Sequence, residues 1–175
     1  MSETKKINPE SELVLSVDPG LATIGWAVLE LLGSRIALRD SGAILTNPDQ
    51  STSERLRIIY LEMGKILHCW NPDVMAVEEL FFAKNQTTAL KVGQAAGVIL
   101  LAGANRNLPV VEYKPMEVKM SVVGYGNAEK KQVQYMVTRI LNLKEVPKPD
   151  DVADAMAIGI CHATSRKMKK LTRTG

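Results

Sequence analysis

The stretch "LVLSVDPGLATIGWAVLELLGSRIALRDSGAIL", Leu13 to Leu45, decides how the chain begins to fold. Three apolar, β-branched runs lie within it, at 13–18, 24–30 and 35–45, separated by "PGLAT" and by a Gly33-Ser34 turn. Links this short leave room for hairpins and not for crossovers, so the spacing predicts three antiparallel neighbours.

Downstream the pattern changes period. "STSERLRIIYLEMGKILHCW" (51–70) carries Leu56, Ile59, Met63, Ile66, Leu67 and Trp70 at helical spacing behind a Ser/Thr start, and "NP" stops it. A short apolar strand "VMAVE" (74–78) follows, then a helix rich in small residues over 85–105 and a last strand "PVVEY" (109–113). Three helical pieces close the chain, at about 115–123, 129–142 and 150–167. The second of these sets Val133, Met136, Val137, Ile140 and Leu141 on one face. The order βββαβαβααα predicts an α/β domain with a mixed five-stranded sheet and helices on both faces. That is the element order of the ribonuclease H-like fold, although a mixed α/β domain of other wiring has the same order. One domain over 13–165 is expected, after a polar, disordered segment 1–12 and before a basic, disordered tail 166–175.

Composition narrows the chemistry. The net charge of +3 comes from the last ten residues, which hold five Lys or Arg and no acid; the remainder carries 17 basic against 19 acidic residues. A polyanionic partner must therefore be argued from where the lysines lie, not from total charge. Cys69 and Cys161 have no C-x-x-C spacing, which indicates neither a disulfide framework nor a cysteine-rich zinc site and suits a reducing compartment. His68-Cys69 and Cys161-His162 are neighbours whose side chains diverge by about 100° on a helix, so both pairs are expected to be structural. No signal-like segment or membrane-length apolar run is present in the sequence as given.

Four acids occupy telling places. Asp18 ends the first strand in "SVDPG", where a plain turn is the simpler reading. Glu78 ends the fourth strand, at the sheet edge where α/β proteins place ligands. Glu79 points to the other face, and periodicity does not choose between the two. In "KPDDVADAMAIGI", Asp150 and Asp151 can serve as helix caps. Asp154 borders the apolar set Ala153, Met156, Ala157 and Ile160, and an acid there needs a cationic partner. Clustered carboxylates call for hard divalent cations, and two such ions about 3.5 to 4 Å apart support in-line phosphodiester hydrolysis. With two histidines in the chain, a histidine-based mechanism has little to draw on.

Taken together, "LSVDPGLATIGWAVLE", "MAVEELFFAKNQTTALKVGQAAGVI", "VEYKPMEVKMSVVGYGNAEKKQV" and "DDVADAMAIGICHA" resemble the bacterial RuvC-type Holliday junction resolvases from about Leu13 to Ala163. The resemblance implies a ribonuclease H-like fold, a cytoplasmic, nucleoid-associated homodimer, and Mg2+-dependent paired nicking of four-way DNA junctions in recombination and repair. Two Mg2+ ions per site are implied, with Mn2+ as a substitute, and a branch-migration motor complex as a further partner. Its catalytic, metal-binding acids fall on Asp18, Glu78, Asp151 and Asp154, which selects Glu78 over Glu79. It places a junction-contacting ring at Phe81 and functional lysines at Lys119 and Lys130. A second ring at Phe82 departs from the pattern, and Asp150 is an additional acid beside the set.

Both phenylalanines of the chain thus sit in "VEELFFAKN", just past the glutamate. A ring there can stack on a base exposed at a junction's open centre, with Lys84 on a nearby phosphate; the alternative is that the rings cap the core edge. Lys119, Lys130 and Lys131 flank the loop "GYGNAEKK", where backbone amides and ammonium groups can approach phosphate. The small residues Gly93, Ala95, Ala96 and Gly97 suit either a dimer contact or packing on the sheet. Three rivals share parts of this pattern: a ribonuclease H-like nuclease for another branched nucleic acid, a non-catalytic junction-binding module, and an actin-like nucleotide-binding half. The four acids argue against the second, and the length and the lack of a second glycine-rich phosphate loop argue against the third.

Leucine keeps apolar volume without a flat π face, so Phe81→Leu separates the two roles of the ring. The variant is expected to melt like the parent and to cut intact junctions slowly, with rescue on junctions carrying unpaired central bases. Lowered melting temperature with unchanged cutting would mean a core ring.

Overall fold

A computed structural model describes residues 10–79 and 86–172. Strands β1 (Glu12–Asp18), β2 (Thr23–Leu32) and β3 (Arg35–Leu45) form the expected antiparallel meander. Helix α1 (Thr52–Trp70), strand β4 (Val74–Glu78), helix α2 (Gln86–Ala104) and strand β5 (Val110–Tyr113) follow, then helices α3 (Pro115–Val123), α4 (Lys130–Ile140) and α5 (Asp150–Thr172). The sheet order is β3-β2-β1-β4-β5, with β1, β4 and β5 mutually parallel. Helix starts follow their sequence signals: Ser51 and Glu54 close a capping box on α1, and Pro115 occupies the first turn of α3.

The period of two along the central strands sorts their side chains between two cores. Leu13, Leu15 and Val17 of β1, with Met75 and Val77 of β4, pack under α1 and α2 against Ile59, Met63, Leu67 and Ile99. Val14 of β1, with Val74 and Ala76 of β4, packs on the opposite side with α3, α4 and α5. Ala95 is buried in the first core, so this member of the small-residue run serves the sheet packing, and Ala96 beside it is also buried. Gly97, beside them, is exposed.

Helix α5 is enclosed by the sheet on one side and by α3 and α4 on the other, which explains why it is apolar nearly all round, from Val152 to Ala163. It approaches the sheet at a glycine: a Cβ on Gly159 would stand 2.3 Å from Leu29 Cδ1 and 2.8 Å from Ser16 Oγ. Farther along, the Tyr113 hydroxyl lies 2.9 Å from His162 Nδ1, and the Arg166 guanidinium donates to Glu12. The boundary expected after Ser165 therefore falls inside a helix that runs on to Thr172. Extending an anchored helix through Arg, Lys, Met and Leu is cheaper than nucleating one, so a basic segment without its own apolar face is still helical. Likewise Ser11, assigned above to the leading segment, is buried and donates to Glu30 at 2.6 Å.

An irregularity between Val28 and Leu29 leaves Arg39 unpaired on β3, where its guanidinium turns onto the buried Glu30. Both cysteines are free, Cys161 buried and Cys69 exposed. No helix among the described residues is long and apolar enough to cross a membrane.

The glycine contacts make a paired prediction. Gly159→Ala should destabilise by about 1 to 3 kcal/mol, because the added methyl meets Leu29 and Ser16 in a packed layer. Gly64→Ala, on α1 with open space at the corresponding point, should be stabilising by about 0.5 to 1 kcal/mol. Urea unfolding of the two variants measures both signs.

Candidate active site

The two-residue period that divides the cores also aims the acids. On β1, Val14 and Ser16 face α5, so Asp18 continues that row; on β4, Val74 and Ala76 do the same, so Glu78 does too. Parallel pairing of Val17 with Val77 then brings the two strand ends side by side. Glu79 belongs to the alternate set: it is exposed, and its amide donates to the Tyr113 carbonyl at 2.8 Å. Of the two neighbouring glutamates, Glu78 is thus the one that shares the α5 face with Asp18.

Helix α5 supplies the other carboxylates from its first turns, and a second glycine governs their approach. Gly25 pairs with Asp18 across the β1–β2 ladder. A Cβ on it would fall 1.9 Å from the Asp151 carbonyl oxygen and 2.9 Å from the Val152 nitrogen. Only a residue without a side chain lets the start of α5 rest on β2 at this point. Asp151 and Asp154 are half-buried there, whereas Asp150 is exposed.

The electrostatics register the crowding. The Asp18 carboxyl is pushed up to about 8, first by burial and then by the charges of Glu78, Asp154 and Asp151, with Lys130 opposing. Burial also raises Glu78, aided by Asp154 and countered by Lys119. Asp154 is raised by burial, against a hydrogen bond from Lys130. The Lys130 ammonium stands 3.0 Å from Asp154 Oδ2 and 3.4 Å from Asp150 Oδ2. A cleft of about 280 Å³ opens over these groups, lined by Glu78, Pro115, Lys119, Lys130, Val133 and Asp154.

Every donor in this set is a carboxylate oxygen, held where negative charge is costly, and that chemistry fits a hard divalent cation. Among the described residues no group of three His, Cys, Asp or Glu side chains is arranged to hold a metal ion, and Asp154 is turned to Lys130. The cation that α5 and the strand ends call for is met in part by that ammonium group.

Comparison with known proteins gives this arrangement a family. The model of the crossover junction endodeoxyribonuclease RuvC matches residues 14–162. The chain belongs to the RuvC family. A RuvC crossover junction endodeoxyribonuclease of Halothermothrix orenii is 52% identical over 158 residues, covering 90% of this chain and 96% of the relative. Among solved structures, T. thermophilus RuvC in complex with Holliday junction substrate superposes with a TM-score of 0.85 at 36% identity, over 90% of this chain and 96% of that one. The yeast mitochondrial Holliday junction resolvase, at a TM-score of 0.68 and 16% identity over 98% of this chain and 87% of that one, shares the fold.

Of the residues singled out in the sequence, Asp18, Glu78, Asp151, Asp154, Lys119 and Lys130 converge on one region. Phe81, Phe82 and Lys84 lie outside the described residues. Gly25 was missed as a site residue. Its only signal was position: a glycine inside an otherwise apolar, β-branched strand, seven residues after the first acid.

The raised Asp18 value has a sign that can be measured. The folded protein holds this proton more tightly than the unfolded chain, whose carboxyl titrates near its usual value of about 4. Without divalent cations, the stabilisation this provides is complete below about pH 4 and lost as pH rises through about 8. Asp18→Asn in EDTA is therefore expected to be more stable than the parent at pH 9, with the gap closing toward pH 4. Urea midpoints across this range measure it; a parent as stable as the variant at pH 9 would contradict the assignment.

Proposed function

We propose that this protein resolves four-way DNA junctions by paired symmetric nicks, through hydrolysis of phosphodiesters at the Asp18, Glu78, Asp151 and Asp154 cluster. The observation that carries the reading is the β1–β4 register, which sets Asp18 beside Glu78 on the face covered by the acidic start of α5. Asp18, Glu78, Asp151 and Asp154 would hold Mg2+, two ions per site, with Mn2+ as a substitute. When bound, such ions activate the attacking water and stabilise the leaving oxygen.

The chain's own groups perform the rest. The strand ends hold Asp18 and Glu78 rigidly, and Gly25 holds Asp151 close to them. Lys119 and Lys130, on the cleft wall, attract the phosphate that enters it. In the step itself a water oxygen bonds to phosphorus while the bond to the 3′ oxygen breaks, leaving a 5′ phosphate and a 3′ hydroxyl. The half-buried setting of the acids limits competing charge from solvent.

Two opposed nicks require two sites related by a two-fold axis, so a second copy of the chain completes the enzyme. The Phe81 ring and Lys84 are proposed to meet the junction centre. A branch-migration motor complex is the further partner proposed on the family resemblance, and the work is assigned to the cytoplasm at the nucleoid.

A synthetic four-way junction and its linear duplex, each with Mg2+ or EDTA, test the reading directly. Opposed nicks in the junction with Mg2+ alone are expected; equal cutting of the duplex would overturn junction selectivity. Glu78→Gln and Asp154→Asn should each slow cutting by about 100-fold or more while junction binding survives, and Asp150→Asn should keep most activity.

A further inference from the structure

Beside the cleft the surface turns apolar. On α3, Pro115, Val118 and Lys119 line the cleft, while Met116 and Met120, one turn apart on the adjoining stripe, are 64% and 53% exposed. The chain then doubles back onto them. Gly124 ends α3 in a left-handed conformation with φ of 92°, and Gly126 lies so close that a Cβ would stand 2.6 Å from Met116 Cγ and 3.7 Å from Met120 Cγ. Tyr125, at the tip of this turn, is 43% exposed. Met116 and Met120 thus form one apolar patch on the helix that carries Lys119, and the turn that holds the exposed Tyr125 folds back against it.

A single exposed methionine needs no explanation, but a contiguous patch at the lip of a binding cleft does. Its occupant is set by what the cleft admits. A strand whose phosphate reaches Lys119 and Lys130 must carry its neighbouring sugars and bases past α3, and Lys114, just before α3, and Lys131, next to Lys130 on α4, are also exposed. The nearest acid on α3, Glu117, is engaged by the Lys114 amide at 2.8 Å. Methionine and tyrosine suit uncharged nucleic-acid surfaces: flexible thioethers fill gaps along deoxyribose or between base steps, and a ring stacks on a base.

We propose that Met116, Met120 and Tyr125 form a DNA-contact surface that grips sugars and bases next to the scissile phosphate. The proposal rests on the junction-cleaving reading and deepens it, adding a grip that carries no charge. Lysines bind any phosphate equally, whereas this patch responds to base identity and stacking at the cut, and so contributes to which sequences are nicked.

The test compares Met116→Gln/Met120→Gln and Tyr125→Ser with the parent and with Lys119→Ala. Because the altered side chains are exposed, melting temperatures should stay within about 2 °C. Each patch variant is expected to bind a four-way junction about tenfold more weakly. The slope of log affinity against log salt should be unchanged, whereas Lys119→Ala should lower it by about one charge. A 2-aminopurine placed next to the scissile phosphate should change fluorescence on binding the parent and respond less to the patch variants. Affinity within twofold of the parent together with an unchanged 2-aminopurine response would overturn the proposal. A patch variant that shifts the monomer–dimer equilibrium without altering DNA affinity would overturn it too, by making the patch a contact between copies. Parent nicking, assayed alongside, keeps the two readings separate: a parent that binds but does not cut refutes the reaction, while the affinity contrast still decides the patch.

Discussion

The closeness of α5 to the sheet is the constraint on which the site depends. Gly159 lets the middle of the helix press on Leu29 and Ser16, and Gly25 lets its first turn rest on β2 opposite Asp18. Two missing side chains, one on the helix and one on the strand, bring carboxylates from distant parts of the chain to one sheet edge. The Tyr113–His162 contact and the Arg166–Glu12 pair hold the far part of the same helix. Its position is therefore over-determined along its length, as a charged cluster at one end requires.

Bringing these acids together costs stability. Burial and mutual repulsion raise Asp18, Glu78 and Asp154 together, so the protein without a cation carries unfavourable electrostatics at the proposed site. Lys130 offsets part of this by bridging Asp150 and Asp154. The same ammonium borders the cleft, so a group that quiets the acids is also placed to meet an incoming phosphate. The two cores on either side of the sheet supply the rigidity that keeps such a site from relaxing.

Around the acids, the cleft wall divides its labour by helix stripe. Pro115, Val118 and Lys119 face inward, and Met116 and Met120 continue the wall outward as an uncharged lip. Charge acts over several ångströms and gathers DNA of any sequence, while apolar contact acts only on touch. A surface with both can gather first and discriminate afterwards.

The meander, the alternation of strands and helices after it, and the helix starts were legible in the sequence because they rest on local rules: period, turn residues and caps. Asp154 was also visible, as a charge beside an apolar face, whereas Asp18 reads first as a turn residue and Asp151, like Asp150, as a helix cap, and resemblance singled both out. The extent of α5 was not legible, since a basic segment without an apolar face gives no sign that an anchored helix will extend through it. Nor did the residues alone separate Glu78 from Glu79. Both faces of β4 are buried, so alternation had no polar side to point to; resemblance selected Glu78, and the tertiary structure puts the row Val74, Ala76, Glu78 on the face that α5 covers. The role of Gly25 belongs wholly to the tertiary structure. A glycine in a strand announces a close approach, but Asp151, 126 positions further on, becomes its neighbour only when α5 folds back across the sheet.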